Sequence, residues 1–476
     1  MKNSLRKTKI ICTMGPASLK ENVLEQMFKN GMNIARFNFS HGTHEYHKEG
    51  IELFRKVRDR LKLPAAVLLD TKGPEIRIGE FENKKITLKK GDVFTFTTEE
   101  ISGDEKRVSV TYKNLPNELS VGVRMLLDDG RLEFEITELT KTEIICKVIT
   151  GGELSSKKGI NIPNVHLKMP YISEQDEKDL RFGIEMDVDF VAASFVRSRE
   201  DVIELRKLLN YYGGHSIKII AKIENTEGVE NFDDILANSD GIMVARGDMG
   251  VEIEFEKLPG LQKKFIRKCY GAGKMVITAT QMLETMIHSK TPTRAEITDV
   301  ANAVFDGTSA VMLSGETAMG DHPAHVVKVM AKIAAQAEND AKEMISYKGI
   351  SYESDVSDLT NAICDAACTT ARDIKAKAII AVTKSGTTAR RVSKFRPNEI
   401  IVAATPDIKT YHQLSLSWGV IPVLALNQEN TDSLFLHAID CARQLDIVSV
   451  GDKVVITAGV PLKLAGTTNL LKVQVV

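Results

Sequence analysis

The 476 residues carry 63 Lys and Arg against 64 Asp and Glu, a net charge of −1, with 43% hydrophobic and 27% charged side chains. Such a length exceeds what one core can organise and calls for roughly two to four domains. The balanced charge offers nothing to a polyanion or an acidic bilayer, so neither nucleic acid nor a membrane is an expected partner.

At the N-terminus Lys2, Arg6, Lys7 and Lys9 are followed only by the short apolar stretch Ile10–Cys12 before Thr13. That is no signal-peptide core, and export is not expected. Strand-length apolar runs at Thr8–Cys12, Asn33–Phe37 and Ala66–Asp70 then alternate with amphipathic helical segments. From about Gly73 to about Lys168 the period falls to two, as in Asp92–Thr97 and Arg131–Thr137, with turn signals at Asp129–Gly130 and Gly151–Gly152. This predicts an inserted all-β domain over 73–168. After Pro170 the first rhythm resumes, with runs at Phe190–Ala193, Lys218–Lys222, Gly241–Ala245, Met275–Ala279 and Ala310–Leu313. Three runs before the insertion and five after it make eight β/α units, the number that closes a parallel barrel. Residues 1–72 with 169–345 also approach the ~250 typical of a (β/α)8 TIM barrel. The polar stretch Tyr347–Ser357 reads as a linker. Beyond it Ala378–Val382, Ile400–Ala403, Val420–Leu424 and Lys453–Thr457 alternate with helices, predicting an open α/β sheet over 346–476. The uncharged run Thr410–Gln428 holds His412, Gln413, Ser415, Ser417 and Pro422 and is too polar for a membrane span. Cys12, Cys146, Cys269, Cys364, Cys368 and Cys441 are far apart, apart from the pair Cys364 and Cys368 one helical turn from each other. This pattern fits reduced cytosolic thiols rather than a disulfide frame or zinc site.

The barrel runs end in polar residues: Arg36, Asn38, Asp70, Lys222, Glu224, Asp248, Thr280 and Ser314. In such barrels active sites are built at that end. Lys222 and Glu224, two apart, share one face of their strand. With Asp248 they bring an ammonium and two carboxylates together, which suits a divalent metal on oxygen ligands beside a fixed cation. Phosphoryl transfer and enolate chemistry both require that combination. A salt-bridge network at a barrel mouth is the bland alternative, since a buried lysine must be paired in any case. Three charged groups at successive strand ends, with Gly247 beside Asp248, favour catalysis. His41, His44 and His47 open a helix at three-residue spacing without a fourth ligand and read as no zinc site. No Walker-type glycine loop occurs. The segment TKSGTT (Thr383, Lys384, Ser385, Gly386, Thr387, Thr388), between a strand and a helix, offers hydroxyls, amides and a helix N-terminus as a phosphate cradle. Plain N-capping by Ser385 or Thr387 is an equal alternative.

The stretches ICTMGPAS (Ile11–Ser18), ARFNFSHG (Ala35–Gly42), LDTKGPEIR (Leu69–Arg77), IIAKIENTEGV, VARGDMGVE, ATQMLETM (Ala279–Met286), PTRAE (Pro292–Glu296) and MLSGETA (Met312–Ala318) resemble pyruvate kinase, from about Lys7 to the C-terminus. The resemblance implies phosphoryl transfer from phosphoenolpyruvate to ADP, giving ATP and enolpyruvate that is protonated to pyruvate. It implies Glu224 and Asp248 as ligands of Mg²⁺ or Mn²⁺, Lys222 against the phosphoryl group, and Arg36 as its clamp. Gly247 and Thr280 join them around the substrate. Thr280 stands beside the carbon that is protonated, with Ser314 on a water chain because a threonine is a poor acid alone. Asn38, Ser40, Asp70 and Thr71 match a K⁺ site, and Glu75 is the residue type associated with needing that ion. Turn and helix capping is what Asn38 and Ser40 would otherwise do. ADP falls to Asn38, His41, Arg77 and Lys158. The TKSGTT loop matches the sugar-phosphate effector site of regulated members. The loop Gly459–Asn469 lacks the arginine that helps animal forms hold a second phosphate, which leaves a sugar monophosphate or nucleotide monophosphate open. A chain ending at Val476 without a phosphohistidine-type domain fits a compact bacterial, cytoplasmic enzyme, and the resemblance implies a homotetramer. Two other readings use some of the same residues: a metal-dependent barrel lyase or aldolase acting on a pyruvate enolate, and a non-catalytic sugar-phosphate sensor.

Overall fold

A computed structural model describes residues 6–344, 358–428, 430–461 and 468–476. The linker expected over 347–357, and positions 462–467 of the loop at 459–469, lie outside the described residues. The eight strands Lys9–Thr13, Ile34–Asn38, Ala66–Asp70, Phe190–Ala193, Lys218–Ile223, Gly241–Ala245, Met275–Ala279 and Ala310–Leu313 form one closed barrel. All neighbours run parallel, and the ring closes with Lys9 opposite Ala310.

The strands read as near-continuous apolar runs because both faces are covered. Their two-residue period still sorts the side chains. Ile10, Cys12, Phe37, Val67 and Leu69 face the surrounding helices, while Ile11, Ile34, Leu68, Ala192, Ile220 and Met312 fill the interior. Two residues further along the inward set stand Thr13, Arg36, Asp70, Ser194, Lys222 and Ser314. The register that packs the interior therefore also delivers polar groups to its C-terminal mouth.

The lid interrupts the third β/α unit, whose helix Glu174–Glu185 begins only after it. It comprises a seven-stranded sheet and a two-stranded sheet, around a core in which Phe94, Phe96 and Phe134 meet edge to face. The short helix Leu115–Glu118 was not anticipated. The expected turn at Asp129–Gly130 is a tip of three left-handed residues, Asp128, Asp129 and Gly130, at φ 52, 56 and 80°.

The third domain is a five-stranded sheet in the order Val420–Leu424, Ile400–Thr405, Ala378–Val382, Lys453–Ala458, Leu470–Val475. The last strand runs antiparallel at the edge and lies beyond the four runs expected. This domain docks on the barrel floor. Gln413 Nε2 donates to the carbonyls of Asp189 (3.2 Å) and Ser216 (2.8 Å), both just ahead of barrel strands. Lys9 Nζ donates to the Val420 carbonyl at 2.7 Å. Leu416, fully buried, belongs to the barrel-interior cluster and stoppers it from below. Among the described residues no helix is long and apolar enough to cross a membrane.

Candidate active site

Four buried charges form a continuous chain at the barrel mouth. Arg36 Nε donates to Asp70 Oδ2 at 2.6 Å. Lys222 Nζ lies 3.0 Å from Asp70 Oδ1 and 3.0 Å from Glu224 Oε1. Asp70 and Glu224 are each 1% exposed. Burial alone would raise the Asp70 carboxyl, but Arg36 and Lys222 hold it below the usual range. Burial would likewise lower the Lys222 ammonium, yet Asp70 and Glu224 carry it above the ordinary lysine value, so it stays charged. Glu224 is pushed up to about 8 by burial against the pull of Lys222, with Asp248 adding repulsion. Its charge is thus the least settled of the four until more positive charge arrives.

Two residues missed in the sequence complete this chain. Ser194 Oγ accepts from Lys222 Nζ at 2.7 Å, and Thr13 Oγ1 accepts from Arg36 Nη1 at 2.9 Å. Both lie two positions beyond an inward strand residue, the same register signal that singled out Lys222. Glu224 is fixed in turn by the Phe195 amide, which donates to its Oε2 at 2.6 Å from a backbone at φ 53°.

Thr280 sits in the left-handed region at φ 69°, followed by Gln281 at 53°, an unfavourable place for a β-branched residue. Arg246, also missed, holds it there. Its Nη2 donates to the Thr280 carbonyl at 2.7 Å, and its Nη1 pairs with Asp299 at 2.6 Å. Thr280 Oγ1 accepts from the Gly247 amide (2.8 Å) and donates its only proton to the Ala279 carbonyl (2.6 Å). A Cβ on Gly247 would come 3.3 Å from that hydroxyl, a tight contact that the Thr280 side chain would have to yield to. Ser314 Oγ is buried with no hydrogen-bond partner, while its amide donates to Glu316 at 2.6 Å.

Asn38 is paired in register with Asp70. Asn38 Oδ1 accepts from the Ser40 amide at 3.2 Å, and Thr71 Oγ1 accepts from the Ser194 amide at 3.1 Å. Glu75 is occupied by Arg77, at 2.8 Å from its Nε. Among the described residues no three or more His, Cys, Asp or Glu side chains gather as a metal site. Glu224 and Asp248 therefore offer two carboxylates, and any remaining ligands must come from elsewhere.

A cleft of about 430 Å³ between lid and barrel is lined by His41, Arg77, Lys158, Asp128, Asp248 and Glu252. Lys158 spans 2.6 Å to Asp128 at the lid tip, and Asn161 of the lid donates to Glu252 of the barrel at 3.3 Å. His47, lowered by burial, donates through Nε2 to the His41 carbonyl and so sets that loop.

The six residues Thr383–Thr388 do not approach this site. Five of them, all but Gly386, line a separate cavity of about 120 Å³ in the third domain. Neither Ser385 nor Thr387 caps the helix Thr387–Lys394: the capping position is Gly386, at φ 80° and without a side-chain cap. The plain-capping alternative fails, and the first two residues of that helix, Thr387 and Thr388, line the cavity.

The chain matches the family model described as pyruvate kinase, barrel domain, over residues 5–327, and the one described as pyruvate kinase, alpha/beta domain, over 361–474. It is 48% identical to the pyruvate kinase of Clostridium acetobutylicum, over 99% of this chain and 100% of that one. It is also 48% identical to that of Staphylococcus haemolyticus, over 99% of this chain and 81% of that one. The crystal structure of a pyruvate kinase from Cryptosporidium parvum superposes with a TM-score of 0.93 at 40% identity, covering 99% of this chain and 96% of that one.

Proposed function

We infer the roles of the buried charges from one premise: the chain belongs to the pyruvate kinase family, and is a phosphotransferase that moves the phosphoryl group of phosphoenolpyruvate to ADP, giving ATP and pyruvate, the last step of glycolysis. Arg36 and Lys222 are the two cations that would flank the transferring phosphoryl group, the first with a planar fork for two oxygens. Because Lys222 is held protonated, it acts as a fixed positive charge in a dry site and not as a proton donor.

Members of the family require Mg²⁺ and K⁺, and the residues present fit both. Glu224 and Asp248 would hold Mg²⁺ or Mn²⁺, which when bound supplies positive charge to the enolate and phosphoryl oxygens. Glu224 Oε1 has no hydrogen bond of its own, only the ion pair to Lys222. Asn38, Ser40, Asp70 and Thr71 would hold K⁺ with hard oxygens from adjoining strand ends. His41, Arg77 and Lys158 would meet the ADP phosphates in the cleft, with Asn38 at its edge. The Thr280 hydroxyl, its proton engaged by the Ala279 carbonyl, is poorly placed to protonate carbon directly. Proton delivery through water near the unpartnered Ser314 hydroxyl agrees better with that geometry.

The observation that carries this reading is the Arg36–Asp70–Lys222–Glu224 chain beside Asp248. A lyase acting on a pyruvate enolate needs no second cation held for a phosphoryl group, and a sensor without catalysis has no reason to keep the chain. We further propose that Thr383–Thr388 receives the phosphate of a sugar monophosphate or nucleotide monophosphate, that the protein is a homotetramer, and that it works in the cytoplasm. The test is pyruvate formation from phosphoenolpyruvate and ADP with Mg²⁺, with K⁺ present or replaced by a large organic cation, and with candidate phosphates added. Activity independent of K⁺ would remove the roles given to Asn38, Ser40, Asp70 and Thr71.

A further inference from the structure

We propose that Ser194 is a positioning residue for phosphoryl transfer, keeping the Lys222 ammonium in place once cations engage the carboxylates that share it. This rests on the roles given above to Lys222, Asp70 and Glu224. An ammonium has three N–H groups; that of Lys222 donates to Asp70 Oδ1 at 3.0 Å and to Ser194 Oγ at 2.7 Å, and its third partner, Glu224 Oε1 at 3.0 Å, is an ion pair without a hydrogen bond. Two of the three are carboxylates assigned to K⁺ and to the divalent cation. Ser194 is the partner that no cation competes for.

The local bonding aims its lone pair at Lys222. The single hydroxyl proton of Ser194 goes to the Thr71 carbonyl at 2.7 Å, with Asp70 Oδ1 more distant at 3.3 Å. The Ser194 amide in turn donates to Thr71 Oγ1 at 3.1 Å, so two reciprocal bonds clip the ends of the third and fourth strands. Gly73 packs closely on this turn: a Cβ there would come within 2.8 Å of the Ser194 carbonyl oxygen. Ser194 is 2% exposed, so water cannot readily take its place.

Ser194 touches both Lys222 and the Thr71 side of the K⁺ site, and the test must separate these. In Ser194→Ala, kcat at saturating K⁺ and Mg²⁺ is expected to fall about tenfold to a hundredfold, as for loss of a hydrogen bond to a charged group. Half-saturating K⁺, and Mn²⁺ affinity measured by electron paramagnetic resonance without turnover, should stay within about twofold. Ser194→Cys, which keeps the shape but accepts hydrogen bonds weakly, should fall between, and it carries the test if the alanine variant does not fold. A raised K⁺ requirement with kcat restored at high K⁺ would overturn the proposal in favour of a clip on Thr71. Unchanged kcat in either variant would also overturn it. Lys222→Met is the control: if it kept its turnover, the role of Lys222 itself would be wrong, whereas its loss beside an unaffected Ser194→Ala refutes only the positioning.

Discussion

Lys222→Met removes one of two buried cations while keeping most of the stem's volume. When Glu224 is ionised, the chain sets two cations, Arg36 and Lys222, against two carboxylates, Asp70 and Glu224. Without the ammonium two carboxylates face one guanidinium in a site where each is 1% exposed. Breaking a buried pair in this way costs about 3–5 kcal/mol. The actual loss should be smaller, because Glu224, already pushed up to about 8, can take a proton and cancel the excess. Catalysis has no such escape. Removing one neutral oxyanion donor typically lowers kcat by ~10²–10³, and a full charge at the phosphoryl group should count for at least that. The assay is initial rate with saturating phosphoenolpyruvate, ADP, Mg²⁺ and K⁺, beside urea unfolding with and without Mn²⁺. A folded variant that kept more than roughly a tenth of wild-type turnover would refute the role of Lys222.

Arg246→Met frees the Thr280 carbonyl, so the strained pair at φ 69° and 53° should relax. Exchange of pyruvate methyl protons in D₂O should then slow roughly tenfold or more, with phosphoenolpyruvate binding little changed; unaltered exchange would refute the holding role. Gly386→Ala places a Cβ 2.5 Å from Arg390 Nη1 at a residue with φ +80°, and activation by sugar monophosphates should disappear from titration curves while the basal rate stays within about twofold. An activation curve like that of the wild type would remove the cradle. Leu416→Ala empties the stopper of the barrel interior and should cost about 2–5 kcal/mol in urea unfolding, against less than about 1 if the site collapses freely. His412 is lowered by burial to about 4, helped by Arg58. The unfolded chain therefore binds a proton below about pH 6.5 that the folded protein refuses, so stability is full above that pH and falls by up to about 3 kcal/mol as pH drops to 4. His412→Gln should flatten this acid limb in melting curves; an unchanged limb would mean that His412 is already charged when folded.

The strands were legible because a buried parallel strand is a bare apolar run, and the eight runs differ from the observed bounds by a residue at most. The charged ends were legible for the opposite reason: Lys222 and Glu224 stand out against IIA and I. Ser194 and Thr13 carry the same register but, being small hydroxyl residues at strand ends, look like any turn. Arg246 stands inside VARGDMG, yet its partners Asp299 and the Thr280 carbonyl lie on the next β/α unit, at the end of its strand and on its helix, which period cannot bring together with it. Leu416 was hidden further still. It lies in the run Thr410–Gln428, which says only that the segment is uncharged, and its burial inside a different domain is a fact of docking.

That docking gives the two appended domains unlike relations to the charge chain. The lid reaches the barrel wall through Asn161 and Glu252 at 3.3 Å and through His166 and Glu227 at 3.3 Å, polar contacts that water can replace on opening. The third domain is joined by a continuous packed path. Thr410 Oγ1 donates to the Lys384 carbonyl in the cradle at 3.0 Å. The same segment continues through the helix Ile408–Gln413 to Leu416, which belongs to the same buried cluster as Leu68 and Ile220, two residues below Asp70 and Lys222. A close-packed interior transmits displacement because it has no slack to absorb it. Opening of the lid would break polar contacts and leave the barrel-interior cluster in place, whereas displacement of the cradle would bear on Leu416 within that cluster. Under the effector role proposed for Thr383–Thr388, displacement of Leu416 is the route by which a phosphate ligand there would reach Lys222.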